Sequence, residues 1–228
     1  MEKTIMDVSR WQGDIDWGAV KASGKVDGVM LKTVSTNYKL SKRKDGLYID
    51  PTFEHNYAEC KRVGLPVGVY YYTYATDKEM ADAELALLKT ALTGKTFELP
   101  ISVDVEDNKI KKLSTQELTD LAAYALATVE HWGFYALLYV GLNFARTELY
   151  MGDAALRKYD VWLARYPSDK SQTKPEDKPK TDFAFGMWQY TSTARVPGVS
   201  GDVDLSHAYK NYAKIIAKKG LDRLREGA

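Results

Sequence analysis

Residues 100–108 read PISVDVEDN, and the way this stretch ends decides the fold. Alternating β-branched residues after a proline predict a strand over 98–106. The strand closes on two carboxylates, Asp104 and Glu106, with one valine between them. Residues i and i+2 of a strand point to one face, so the two acids share a face and Val103 and Val105 take the other. The following DNKIKK is loop-like. If the strand belongs to a parallel α/β barrel, the shared face is the interior and the pair lies at the C-terminal mouth, where such folds place their chemistry.

The flanking sequence agrees. Further strands are predicted over 4–9, 27–34, 66–74, 134–141, 159–166, 183–191 and 201–206. Helices alternate with most of them. One spans 16–23, capped by Asp16 and closed by Gly24; another opens at Asp50-Pro51, with Asp50 as N-cap, and ends at Gly64. A third covers 77–92, and a fourth starts at the capping box Ser114 to Glu117, with Leu118, Leu121, Ala122, Ala125, Val129 and Trp132 on one stripe. A short helix is expected over 143–150 and a last one from His207 to Lys219. The expected fold is α/β: an irregular TIM-like β/α barrel with about eight strands and fewer helices on the last strands. Residues 1–219 read as one domain and 220–228 as a loose basic tail. Residues 35–48 and 167–182 read as polar loops.

Composition narrows the function. With 32 basic and 31 acidic residues, net +1, the chain lacks the basic excess of a nucleic-acid binder. The single cysteine, Cys60, forms no internal disulfide and reads as a buried thiol. His55, His131 and His207 lack metal-ligand spacing, so neither a metal nor a cofactor is expected. No apolar stretch resembles a signal peptide or membrane span. A monomer is expected.

Asp7 ends the first strand and Asp204 the last, and those strands are neighbours in a closed barrel. Four acids, Asp7, Asp104, Glu106 and Asp204, are therefore expected at one mouth. Their repulsion there keeps at least one protonated near neutral pH, as acid-catalysed bond cleavage requires. Aromatic residues gather at the same strand ends: Tyr70 and Tyr72, Tyr139, Trp162 and Tyr166, Trp188 and Tyr190. Tyr72, Tyr139, Trp162, Tyr166 and Trp188, together with Gln189, are the candidate substrate-binding residues, since flat rings stack on sugars. Trp17 and Trp132 are assigned to the core.

The blocks MDVSRWQGDIDW, DPTFEHNYAECKRVGLPVGVYYY, LPISVDVE, VWLARY, MWQYT and GDVDLS resemble glycoside hydrolase family 25, the Chalaropsis-type lysozymes of phage endolysins and bacterial autolysins. The likeness spans about residues 4–210. It implies a flattened β/α barrel that hydrolyses the β-1,4 bond between N-acetylmuramic acid and N-acetylglucosamine in peptidoglycan. It also implies Glu106 as general acid/base, Asp104 as the residue orienting the substrate acetamido group, and Asp7 and Asp204 as the remaining acids. The nucleophile is either a protein carboxylate or the acetamido oxygen, and two acids so close on one strand favour the latter. One departure stands out: where many family members have a lysine, a small residue and then Ser/Thr-Glu-Gly, this chain keeps Lys32 but reads KTVSTNYK, with Thr36 and Asn37 for the acid and glycine and a longer basic loop. A non-catalytic wall-binding module and a chitinase-like enzyme are the competing readings, although SVDVE lacks the first acid of the longer chitinase run. The site of action implied is the bacterial wall. It would be reached by phage-type release or after loss of a leader, and the tail would be the remnant of a linker to a wall-binding module.

Overall fold

The computed structural model describes residues 2–169, 171–225 and 227. Met1, Lys170, Glu226 and Ala228, which fall in the expected domain, loop and tail, lie outside the described residues.

The chain begins with β1 (Lys3–Val8), a capped 3-10 turn, α1 (Trp17–Ala22) and β2 (Gly28–Lys32). A hairpin of β3 (Val34–Thr36) and β4 (Leu47–Ile49) precedes α2 (Phe53–Val63) and β5 (Val67–Tyr72). There follow α3 (Lys78–Leu92), β6 (Ile101–Asp104), α4 (Thr115–His131), β7 (Ala136–Gly141), α5 (Leu142–Thr147) and β8 (Asp160–Ala164). The last elements are β9 (Met187–Ala194), β10 (Val203–Ala208) and α6 (Tyr212–Lys219). Eight of the strands close into a barrel in the order β1-β10-β9-β8-β7-β6-β5-β2. Every neighbouring pair is parallel except those of β10, which runs antiparallel to both β1 and β9.

Local signals explain the helices. Asp77 accepts the Met80 N–H at 2.8 Å to start α3, and the Ser114–Glu117 box closes both ways to start α4. Gly64 ends α2 in the left-handed region at φ 69°, where only glycine is unstrained. Asp50 does not cap α2. The N-cap is Thr52, and the buried Asp50 carboxylate instead accepts from the Thr52 N–H and hydroxyl and from the Arg10 N–H. It thereby ties the turn after β1 to the turn before α2. Two other expectations also change. Residues 35–48 are not a plain loop, because Val34–Thr36 pairs with Leu47–Ile49. His207 belongs to β10 rather than to a helix, and α6 starts only at Tyr212. Within the expected loose tail Asp222 and Arg225 are held: the Phe97 N–H donates to the Asp222 carbonyl, and the Arg225 N–H to that of Trp132.

Alternation along the strands divides the core in two. Met6, Val8, Leu31, Val69, Val103, Val105, Leu138 and Val140 face outward and pack under the helices. Ile5, Met30, Leu137, Tyr139, Trp162, Met187 and Ala208 face inward, joined by Tyr212 and Ile216 of α6. Helix α6 therefore closes the barrel at the end opposite the mouth. Gly68 keeps that interior passable, since a Cβ there would lie 2.6 Å from Met30 Sδ and from the Pro100 carbonyl. Full burial of each aromatic or aliphatic side chain contributes about 1.5–3 kcal/mol, so the two clusters dominate the fold's stability.

Candidate active site

At the mouth the inward positions turn polar. Cα register aligns Tyr72 of β5, Asp104 of β6, Tyr139 of β7 and Trp162 of β8 in one tier. Asp7 of β1 is level with Asp204 of β10. A cleft of roughly 280 Å³ is lined by Asp7, Asp104, Glu106 and Asp204 together with Lys32, Tyr72, Tyr139, Trp162, Tyr166 and Gln189. The four acids named from the sequence thus face one space. Asp204 arrives there by a different route: it stands near the beginning of β10, and only the reversal of that strand brings its N-terminal end to the mouth. Glu106 lies two residues beyond the end of β6, but the Val105 N–H still bonds the Tyr139 carbonyl at 3.0 Å, which holds the extended path.

Burial pushes all four carboxyls upward. For Asp7 the further causes are the charges of Asp204 and Glu106, opposed by the Gln189 amide. For Asp104 the charge of Glu106 adds to burial, and the Lys32 ammonium opposes it. For Glu106 burial is opposed by Lys32 and aided by Asp107 and Asp204. Asp204 is pushed up to about 6 by burial, against the Tyr166 hydroxyl and its own backbone N–H. Lys32 is the cation that opposes the rise at Asp104 and Glu106, and the crowding of four carboxyls around it favours their protonated forms. Asp104 Oδ1 is buried without a hydrogen-bond partner among the described residues. Such an oxygen is costly unless protonated or met by a ligand N–H or O–H.

Gln189 organises the far wall. The hydroxyls of Tyr139 and Tyr166 each donate to its Oε1 at 2.9 Å, which turns Nε2 toward Asp7 Oδ2 at 3.0 Å. Trp162 forms the floor, edge-on to Tyr139 with centroids 4.7 Å apart, and its indole N–H donates to Ser206 at 2.9 Å. The Tyr72 hydroxyl donates to Asp107 at 3.0 Å. Trp188, grouped with these rings from sequence, does not line the cleft. It neighbours the inward-facing Gln189 and so must point outward, where it is buried against Tyr190 and His207 with its N–H on the Arg165 carbonyl. Trp17 and Trp132 are in the core, as expected.

Several cleft residues escaped the sequence reading. Lys32 lies 5.0 Å from the Tyr72 ring centroid and is the cation among the acids. A lysine that ends a strand, as acids end others, was the available signal. Ser9, Trp11 and Gln12 also line the cleft. They sit on the 3-10 turn of the DVSRWQG block, which no hydrophobic period marks. Among the described residues no group of three or more His, Cys, Asp and Glu side chains is arranged to hold a metal ion. Cys60 is buried, and burial pushes its thiol up, so it is inert. No helix among the described residues is long and apolar enough to cross a membrane.

A second cleft of roughly 440 Å³ adjoins the first and shares Glu106, Tyr139 and Tyr166 with it. Glu106 therefore stands where two arms of a groove meet. An acid so placed, with a raised proton affinity and rings on either side, can reach a ligand that extends into both arms.

Known proteins resemble this chain over most of its length. Residues 6–199 match the model of glycosyl hydrolases family 25. The chain is 27% identical to Lysozyme M1 of Streptomyces globisporus, covering 93% of this chain and 69% of the relative. It is 30% identical to the uncharacterised protein YegX of Escherichia coli, covering 88% and 67% respectively. The crystal structure of a bacterial lysozyme from Streptomyces coelicolor superposes with a TM-score of 0.71 at 26% identity, covering 95% of this chain and 96% of that one. With the acids, the barrel and these likenesses in agreement, the chain belongs to glycosyl hydrolase family 25 and is a glycoside hydrolase of the lysozyme kind.

Proposed function

We propose that the protein cleaves the β-1,4 bond between N-acetylmuramic acid and N-acetylglucosamine, with retention and with help from the substrate's own acetamido group. The single observation that carries this is the pair at the end of β6. Glu106 and Asp104 line one wall two residues apart, Glu106 at the junction of the two arms and Asp104 with a buried, unpartnered oxygen. In the first step Glu106 gives its proton to the glycosidic oxygen and the C1–O bond breaks. The acetamido oxygen attacks C1, closing a five-membered ring, while Asp104 accepts the amide N–H and holds the group in line. In the second step Glu106, now ionised, takes a proton from water. That water attacks C1 from the face the leaving group vacated, and the ring opens with configuration retained. Lys32 tempers the negative charge as Glu106 cycles. The pneumococcal autolysin LytC, solved in complex with a synthetic peptidoglycan ligand, matches at 26% identity with a TM-score of 0.71 and covers 91% of this chain and 47% of that one, in keeping with a wall glycan as substrate.

A second reading has its own observation. In the closed strand order β10 lies diametrically across from β6, so Asp204 faces the cleft from the wall opposite Glu106. That is where a carboxylate nucleophile would stand. Digestion of purified peptidoglycan followed by mass spectrometry of the reduced fragments names the bond cut, and proton NMR of the fresh product names its anomer. The expected result is N-acetylmuramic acid at the new reducing end, a β product, and loss of both in Glu106→Gln. Free peptide stems without new reducing ends, or an α product, would sink the proposal. A covalent glycosyl-enzyme adduct on Asp204 would favour the second reading over acetamido assistance. Cleavage of chitin oligomers alone would mark a chitinase, and wall binding without turnover a binding module.

A further inference from the structure

Of the chain's five tryptophans, four are buried: Trp17, Trp162 and Trp188 at 1% exposure and Trp132 at 6%. Trp11 is 74% exposed. A lone exposed ring is unremarkable on a protein surface and by itself means little. Three further observations set this one apart.

First, Trp11 lines the cleft together with the four acids, on the flank formed by β1 and β10. Second, its backbone is pinned on every side. The Ser9 hydroxyl accepts the Trp11 N–H at 3.3 Å, and the Ser9 N–H donates to Gln12 Oε1 at 2.9 Å. Gln12 Nε2 reaches the Asp202 carbonyl at 3.3 Å, beside the start of β10. The Arg10 N–H is held by the buried Asp50 at 3.0 Å, and Gly13 closes the turn at φ 62°. Third, the ring is held from behind. The Arg10 guanidinium carbon lies 3.9 Å from the Trp11 ring centroid. Arg10 keeps this pose although its Nε–H is buried without an acceptor among the described residues. One indole face is thereby covered and the other left open, on a mount that loses little freedom when a ligand arrives.

From this geometry we propose that Trp11, backed by Arg10, is a sugar-stacking subsite that takes the apolar face of an N-acetylhexosamine ring distal to the bond cut. The inference rests on the glycan-cleaving reading of the same cleft. A pyranose whose substituents are equatorial presents axial C–H groups on each face, and a large flat ring is the surface that matches them. The subsite extends the β1–β10 flank of the groove. The cleft that shares Glu106 on the other side, lined by Lys111, Asn143, Phe144 and Arg165, carries the chain in the opposite direction.

The test uses the full chain with Glu106→Gln, to prevent turnover, titrated with an N-acetylglucosamine hexamer while tryptophan emission is recorded. Because Trp11 is the exposed indole, stacking shifts the emission to the blue. Adding Trp11→Ala removes the shift and weakens binding about ten-fold, equivalent to ~1.4 kcal/mol, whereas Trp11→Tyr keeps most of the affinity. Circular dichroism confirms that the variants are folded, which an exposed site permits. Equal affinity in Trp11→Ala, or no blue shift on saturation, would overturn the subsite. Failure of the functional reading looks different: residual cleavage by Glu106→Gln would condemn the catalytic assignment whatever Trp11 does.

Discussion

The two ends of this barrel treat a buried carboxylate in opposite ways. At the closed end Asp160 of β8, its side chain 5% exposed, is fully answered. Lys210 pairs with it at 2.9 Å, the Tyr212 and Tyr135 hydroxyls donate at 2.7 and 3.4 Å, and the Val161 N–H takes the other oxygen at 3.1 Å. Even the space is matched: Gly186 lies so close that a Cβ there would sit 2.4 Å from the carboxylate. At the mouth Asp104 is equally buried, yet one oxygen is unpartnered and its neighbours are other acids. The closed end uses its charge to lock α6 against the barrel. The mouth keeps its charges in conflict, and under the mechanism proposed above that repulsion keeps a proton for the leaving oxygen.

The sharpest way to break this comparison is Asp104→Asn. Activity on wall glycan should fall on the order of 100-fold, through loss of a group that orients the reacting acetamido. Stability should move the other way. The folded-state proton affinity of Asp104 is raised, so its contribution is intact below the unfolded pKa and is lost as pH rises through the folded one. Asp104→Asn should therefore stabilise the fold by at least about 1 kcal/mol at pH 8 and by almost nothing near pH 4. Urea denaturation at both pH values reads this directly, and a variant less stable at pH 8 than the parent would show that the mouth is not in conflict.

Asp160→Ala is the mirror experiment. It leaves the Lys210 ammonium, the buried Tyr212 phenol and the half-buried Tyr135 phenol without their acceptor, and a loss of about 3 kcal/mol is expected. The same denaturation curves check it, with cleavage by the remaining folded protein unchanged. A neutral result would mean that the closed end is held by apolar packing alone.

A smaller effect tests the wall behind the mouth. Glu84 of α3 accepts from the Thr73 hydroxyl at 2.6 Å and the Tyr74 N–H at 2.8 Å, just past the end of β5. Burial pushes its carboxyl up to about 7, against those two bonds. Because the folded value is raised, Glu84 costs stability progressively between about pH 4.5 and 7 and uniformly above that. Glu84→Gln keeps an acceptor for Tyr74 and should gain about 2 kcal/mol at pH 8 while flattening the pH dependence of Tm. An unchanged pH profile would place the titration elsewhere.

Much of the fold was legible because its local signals are strong and agree with one another. Asp77, the Ser114–Glu117 box and Gly64 act within one turn of chain, so composition suffices to read them. Asp50-Pro51 misled for the same reason: it carries the local pattern of a cap, but its carboxylate is claimed by Arg10, a residue 40 positions away. The hairpin at Val34–Thr36 and Leu47–Ile49 was hidden because its strands are only three residues each and a long lysine-rich loop parts them, so that Asp45-Gly46 does not stand alone between two apolar runs. Trp188 shares a strand end with the cleft rings of other strands, but its parity is opposite to that of the inward Gln189, and parity rather than ring type sets the face.

What the amino-acid order determined by itself was periodicity and chemistry. Alternation put Asp104 and Glu106 on one face, strand ends carried acids, and helix termini carried their caps, because each depends only on neighbours along the chain. Only the tertiary structure decided direction and company. The reversal of β10 turned Asp204 to the mouth, closure of the barrel set it across from Glu106, and the packing of α6 beneath the strands made one end dry and left the other open. Those outcomes depend on which strand pairs with which, and pairing is governed by the shared core of distant segments rather than by any residue's immediate neighbours.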